Sequence, residues 1–182
     1  MVLKESTNES PSLEQRLPDF ARVVRELPEG MHGYLELLPR VRESPALARV
    51  APDAQARARL VQGARVRIET MRSYCYVDIE VPCIVLSAAY YRDGSGLDLY
   101  LDLLHELTHL RQLEEGRDVW DESYAYVDRP TEIEAYAVAV GEGRRLGMTD
   151  EDVVRHLSNP WMSEKDVHRL VVHVEELLGQ PR

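Results

Sequence analysis

Phenylalanine is almost missing from this chain: Phe20 is the only one, and nine tyrosines carry most of the aromatic content. Cysteine is scarce as well. Cys75 and Cys83 lie eight residues apart in an apolar region, too few for a disulfide framework and too widely spaced for a CxxC zinc pair. Buried free thiols are the expected state, with a single disulfide open only to an oxidising compartment. No apolar stretch approaches the roughly 20 residues that span a bilayer. Met1 to Pro18 has no apolar core of the kind that marks a secretion signal. A cytoplasmic protein without a membrane partner is therefore expected. Positive charge is also in deficit, with 32 acidic against 22 basic residues and a formal charge of −10, which argues against nucleic acid or anionic lipid as a partner. The one modest basic cluster, Arg57 to Arg67, reads as the solvated face of a helix.

What is present suits one well-cored domain of 182 residues, 44% of them hydrophobic and 30% charged. Met1 to Pro18, with Ser6, Thr7, Asn8, Ser10, Pro11 and Ser12, is expected to be a flexible tail, and residues 19–182 the domain. Helical patterns are expected over Phe20–Leu27, Tyr34–Arg42 and Pro45–Gly63, with Pro45 and Pro52 placed to open turns. From Arg65 to Ala89 β-branched residues accumulate, and Val77-Asp78-Ile79-Glu80-Val81 alternates apolar with charged, the pattern of a half-buried strand. Pro82 cannot donate to a central ladder, so it marks an edge, a bulge or the turn between two short strands. Leu97 to Leu113 then carries leucines at helical spacings between Gly94-Ser95-Gly96 and Glu114-Glu115-Gly116, which serve as start and stop signals. Pro130–Leu146 is the next expected helix, with Asp128 as its cap and Gly147 just beyond. Helices over Thr149–Leu157 and Ser163–Leu178 open with capping boxes whose acid is Asp152 or Asp166. The fold class this adds up to is α+β, mainly helical, with a small β-sheet ahead of the leucine-rich helix.

That leucine run contains His105-Glu106-Leu107-Thr108-His109, an HExxH motif. At 100° per residue two histidines four apart lie roughly 40° from each other on one face, so both imidazoles can grip one ion. Glu106 begins beside the first of them, where a carboxylate can reach an activated water as general base. Burying this set without partners would cost several kcal/mol, and a metal ion removes that cost. Zinc is the expected cofactor, although two histidines and a carboxylate also suit iron or other divalent ions.

A catalytic zinc normally takes three protein ligands. The extended HExxHxxGxxH pattern would need Gly at 112 and His at 115, where this chain has Gln112 and Glu115. No further histidine occurs before His156, so a carboxylate on the following helix is the natural third ligand. That helix opens Thr131-Glu132-Ile133-Glu134-Ala135-Tyr136, offering two acids ahead of small residues. Glu132 shares a face with Ala135, Tyr136 and Ala139, whereas Glu134 shares one with Ala137 and Val138. HExxH followed about two dozen residues later by Glu-x-Glu-Ala resembles the gluzincin metallopeptidases, above all the minigluzincins and the small regulatory metallopeptidases of phage immunity and radiation response. The resemblance covers roughly residues 97 to 146 and implies a zincin-like fold with zinc on His105, His109 and Glu132, Glu134 being the alternative third ligand. Those families often carry Asp or Asn after the alanine. Here Tyr136 stands in that place, which leaves the partner that orients the histidines unassigned.

The implied activity is hydrolysis of a peptide or protein substrate, with Glu106 activating water. Oxyanion donors are sought among Tyr124, Tyr126, Arg129, His156, His168 and His173. The Cys75 to Leu86 region is the candidate sheet edge for an extended substrate. The competing expectation is a zinc-binding regulatory or structural module without efficient proteolysis. Cleavage of a small-molecule amide or ester is a further possibility, because ligands alone do not name a substrate.

Overall fold

The computed structural model describes residues 12–72 and 74–179. It is an α+β structure in which helices dominate and pack about a four-stranded sheet. Strands β1 (Gly30–Gly33), β2 (Arg65–Glu69), β3 (Cys75–Asp78) and β4 (Cys83–Ser87) lie in the order β1-β2-β4-β3. β2 and β4 run parallel, while β1 and β3 flank them antiparallel. β2 alternates, with Val66 and Ile68 turned inward, whereas β4 is covered on both faces and is buried throughout.

Among the helices are α1 (Tyr34–Leu37), α2 (Leu47–Val50), α3 (Ala54–Gly63), α4 (Ala88–Asp93) and α5 (Gly96–Glu114). They are followed by α6 (Pro130–Leu146), α7 (Asp150–Leu157) and α8 (Glu164–Gly179). α5 is the axis of the fold. Leu99, Leu101, Leu103, Leu104 and Leu107 are fully buried on nearly every side of it, each contributing about 1.5–3 kcal/mol of transfer free energy. α6 packs closely along it through Ala135, Ala139 and Gly143, and a Cβ on Gly143 would stand 3.2 Å from Leu101 Cδ1. Buried residues from Leu17 to Val174 form a single apolar cluster.

Several expected elements change under tertiary hydrogen bonding. Phe20–Leu27 is not a helix: after a 3₁₀ turn at Asp19–Ala21 the chain extends. Val24 N donates to Leu37 O at 2.8 Å, Tyr91 Oη donates to Val24 O at 2.5 Å, and Arg25 donates to the carbonyls of Tyr91 and Gly94. Tyr34–Arg42 shrinks to α1 and a 3₁₀ turn at Val41–Glu43. Pro45–Gly63 divides at Ala51-Pro52-Asp53, where Asp53 caps α3 by accepting from Ala56 N at 2.7 Å. The strand expected through Val81 stops at Asp78, because Asp78 Oδ1 accepts from the N–H groups of Glu80 and Val81 at 3.0 and 3.1 Å and bends the chain into a turn. Pro82 therefore sits in the turn joining β3 to β4, and Ile79 and Val81 are exposed. Asp128 does not cap α6, whose N-cap is Arg129; it meets Arg169 and His173 of α8 instead. The capping boxes of Thr149 with Asp152 and Ser163 with Asp166 are present. Gly147 closes α6 at φ 107°, a left-handed conformation that favours glycine. Cys75 and Cys83 are free thiols. No helix among the described residues is long and apolar enough to cross a membrane.

The expected tail, Met1–Pro18, differs over its described part. Glu14 caps α5, accepting from Gly96 N at 2.7 Å and Leu97 N at 3.1 Å, and Leu17 is buried; residues 1–11 lie outside the described residues. A Cβ at position 96 would fall 2.2 Å from Glu14 Oε1, so Gly96 permits this close approach. A carboxylate on two free N–H groups at the positive end of a 19-residue helix is charge-assisted. Glu14→Ala is expected to destabilise the protein by about 1–2 kcal/mol, read as a lower urea midpoint with an unchanged slope. An unchanged midpoint would show that this cap contributes nothing.

Candidate metal centre

His105 and His109 face the same side of α5, as their four-residue separation requires, and Glu132 reaches them from the first turn of α6. The His105 and His109 Nε2 atoms are 2.9 Å apart, and Glu132 Oε2 lies 3.4 Å from the first and 3.6 Å from the second. Ligand atoms at 2.0–2.1 Å from a tetrahedral ion are separated by about 3.4 Å, so these three enclose space for one divalent ion. All three side chains are buried, and the three ligand atoms lie within 4.8 Å of one another. Glu132 Oε2 has no conventional hydrogen-bond partner, so a lone pair is left that an ion between the three atoms would take up.

The electrostatics of Glu132 and His105 fit the same use. Burial works to raise the pKa of Glu132, yet His105 and His109 outweigh it and hold the carboxyl far below its usual range. Burial lowers the pKa of His105, favouring the neutral ring that a metal needs. For His109 burial also lowers, but Glu132 and its neighbours prevail and the net shift is upward. Arg129 Nη1 stands 3.9 Å from Glu132 Oε1, while its Nε donates to Asp121 O at 3.1 Å. Glu132 is thus held from two sides.

Gln112 fixes which nitrogen of His109 is free. Its amide nitrogen donates to Thr131 O at 3.0 Å and Glu134 Oε2 at 2.9 Å, two groups that only accept. Its oxygen must then face His109 Nδ1, 2.7 Å away, so that Nδ1 is the protonated nitrogen and the lone pair is left at Nε2. In the sequence Gln112 stands only as the residue that breaks the extended HExxHxxGxxH pattern at its glycine. Its position one turn beyond His109 on the same helix face was the available signal. Glu134, the alternative third ligand, is directed elsewhere: it pairs with Arg111 at 2.6 Å and with Arg117, and buttresses Gln112.

The chain matches no known protein family, curated protein or solved structure. Its site is therefore read from its own geometry. Glu106 lies beside the three ligands and lines two adjoining clefts, of about 530 and 360 Å³. Burial, joined by the Glu132 and Asp102 charges, pushes its pKa up to about 8 despite His109 nearby. No protein hydrogen bond among the described residues holds its carboxylate, which is left facing the clefts. Tyr136, the residue after Ala135, packs its ring against His105 at 4.2 Å between centroids. His105 Nδ1 has no partner.

Of the six oxyanion candidates, Tyr126, Arg129 and His156 line the clefts. Tyr124 and His168 are exposed, and His173 is bound to Asp128, so these three lie apart from the site. Tyr126 borders both clefts. Its hydroxyl meets that of Tyr136 at 2.8 Å, and Asn159 Nδ2 donates to Tyr136 Oη at 3.3 Å. If Tyr136 passes its own proton to Tyr126 Oη, the Tyr126 hydroxyl hydrogen is left for a group in the cleft. Within the Cys75–Leu86 region the edge is β3, whose Cys75, Tyr76 and Val77 line the smaller cleft, whereas β4 is interior. Trp120 and Trp161, both largely exposed and both unremarked in the sequence, border the smaller cleft, and Trp161 borders the larger as well.

Metal content separates the two glutamates. Glu132→Gln is expected to lose a stoichiometric divalent ion by elemental mass spectrometry, whereas Glu134→Gln retains it. The opposite pattern would reassign the third ligand. Gln112→Ala should keep the ion with affinity lower by about 10–100-fold, measured by competition with a chromophoric chelator, and unchanged affinity would remove Gln112 from the site.

Proposed function

We propose that this chain is a zinc-dependent metallopeptidase of gluzincin type with a zincin-like fold. The observation that carries the reading is the buried convergence of His105, His109 and Glu132 with Glu106 beside them at the junction of two clefts. Two imidazoles and one carboxylate, with cleft space beside them, are the donor set of a catalytic rather than a closed structural zinc site. When bound, zinc would acidify a water and polarise the substrate carbonyl.

The chain's own groups supply the remaining steps. Glu106 takes the proton of the attacking water on its carboxylate and returns it to the departing amine. A carboxylate with no competing hydrogen bond is free to make both transfers. Tyr126 donates its hydroxyl to the oxygen that gains negative charge, positioned by Tyr136 and Asn159. β3 offers unpaired backbone groups on its free edge, against which an extended peptide can add as a further strand with its side chains in the two clefts. Two free thiols suit a reducing compartment such as the cytoplasm.

The test is peptide-library cleavage read by mass spectrometry, using zinc-loaded wild-type protein beside Glu106→Gln. The expected result is one zinc in each, with cleavage reduced about 10²–10⁴-fold in the variant and abolished reversibly by chelation. Equal cleavage by both proteins, or none by the zinc-loaded wild type, would overturn the peptidase reading. The second outcome would favour a zinc-binding regulatory module. Tyr126→Phe should lower kcat by about 10²–10³-fold, the cost of one lost oxyanion donor, while KM stays nearly constant; an unchanged kcat would remove Tyr126 from that role.

A further inference from the structure

The larger cleft has a wall that the proposed chemistry leaves unused. Asp98, Asp102 and Glu106 succeed one another at four-residue intervals along α5, so their carboxylates form a ladder on one helix face that leads to the metal centre. Like charges at this spacing repel, by a few tenths of a kcal/mol per pair on an isolated helix. Some other group must make the arrangement favourable.

The groups already present do so only in part. Asp98 Oδ1 meets His156 Nδ1 at 3.1 Å, and Tyr90 Oη donates to Asp102 Oδ2 at 2.5 Å. Asp102 Oδ1 has only His156 Nε2 nearby, at 3.8 Å, too far for a hydrogen bond. His156 Nε2 is itself buried without a partner, although the side chain is just 3% exposed and borders the cleft. Arg155 also lines the cleft and its charge acts on Asp98, but its guanidinium is paired with Asp152 at 2.7 Å. Two carboxylates, about one-third exposed, therefore face one histidine and an arginine whose charge is shared with Asp152. Opposite them Tyr74 and Tyr90 meet edge to face at 5.7 Å between centroids, and Tyr74 is half exposed.

We propose that Asp98 and Asp102, the first oriented by His156 and the second by Tyr90, form with the rings of Tyr74 and Tyr90 a subsite for a basic side chain of the substrate, arginine in preference to lysine. A guanidinium can present separate N–H donors to two carboxylates and lay its plane on an aromatic ring, which an ammonium does less well. It also provides the charge that the acidic ladder lacks. The subsite rests on the peptidase reading, since it deepens that reading by naming the class of peptide cleaved.

Binding separates the two ideas. Hexapeptides of alanine in which a single arginine walks through each position, and their uncharged citrulline counterparts, are titrated calorimetrically into zinc-loaded Glu106→Gln protein. At one or two positions arginine should bind at least tenfold more tightly than citrulline, and Asp98→Asn with Asp102→Asn added should erase the difference. Asparagine keeps an acceptor for His156 and Tyr90, and circular dichroism confirms that the variant folds; where it does not, the arginine–citrulline comparison decides alone. Equal affinity for the two peptide sets, or a preference that survives in the folded double variant, overturns the subsite even if wild-type protein cleaves peptides. A preference that depends on these aspartates, in a protein whose wild type cleaves none of the arginine peptides, leaves the subsite standing and overturns the peptidase reading.

Discussion

Two imidazoles and two carboxylates are withdrawn from water where α5 meets α6, and the surrounding structure is organised around making that tolerable. His105, Glu106, His109 and Glu132 are each at most 7% exposed. A charge left alone in such a place costs several kcal/mol, and either its pKa moves or it acquires partners. Both occur here. Glu106, with few partners, is driven toward protonation, while Glu132, facing two imidazoles, is driven the other way. The alanines and Gly143 of α6 let its backbone approach α5, and the approach brings Glu132 within reach of both histidines. Had that face carried leucines, the helices would stand farther apart and the three donor atoms would not converge.

Environment, rather than residue type, divides the carboxylates between tasks. Glu132 and Glu134 lie two residues apart, and the 100° turn of the helix separates them by about 160°. The first therefore meets histidines and the second meets Arg111 and Arg117. Glu134 still belongs to the site, because its contact with the Gln112 amide sets the orientation that selects the protonated nitrogen of His109. The chain from Arg111 through Glu134, Gln112 and His109 makes ion pairs near the surface serve the geometry of a buried nitrogen. Such pairs contribute little stability where they are exposed, so their value here lies in positioning.

What could be read from the sequence were the features set by local periodicity. The leucine pattern of α5, Pro130 and Gly147 at the ends of α6, and the capping boxes of Thr149 and Ser163 depend on neighbours three or four residues away. The His105–His109 pair and the facial argument for Glu132 over Glu134 belong to the same class. The features that escaped depend on long-range partners. Phe20–Leu27 has helical spacing but surrenders its backbone hydrogen bonds to Leu37 and Tyr91. Glu14 sits in a polar segment of tail-like composition, yet its carboxylate serves N–H groups more than 80 positions downstream. The alternation through Val81 was a true period-two signal, overridden when the Asp78 side chain took the N–H groups of the next residues for itself. Asn159 and Trp161 lie in a short polar connection whose proximity to the site only the packing of α7 and α8 creates.

The resulting site has a division of labour that follows from rigidity. Its three converging donor atoms come from α5 and α6, whose mutual packing is the most extensive between any two described elements, so errors of position there are resisted by the whole core. The residues that would touch a substrate beyond the reacting bond come mainly from connections: Tyr74 before β3, Trp120 and Tyr126 between α5 and α6, and Asn159 and Trp161 between α7 and α8. Connections accept substitution and displacement at little cost to the core. Asp98 and Asp102 differ from these, because they stand on α5 itself. A recognition group fixed to the same helix as the ligands cannot drift relative to them, and a side chain bound there would be registered against the metal centre by the rise of that helix, about 1.5 Å per residue. On the proposed peptidase reading, those two aspartates would set where along a bound peptide the reacting bond falls, and the loop aromatics would govern how tightly the rest of it is held.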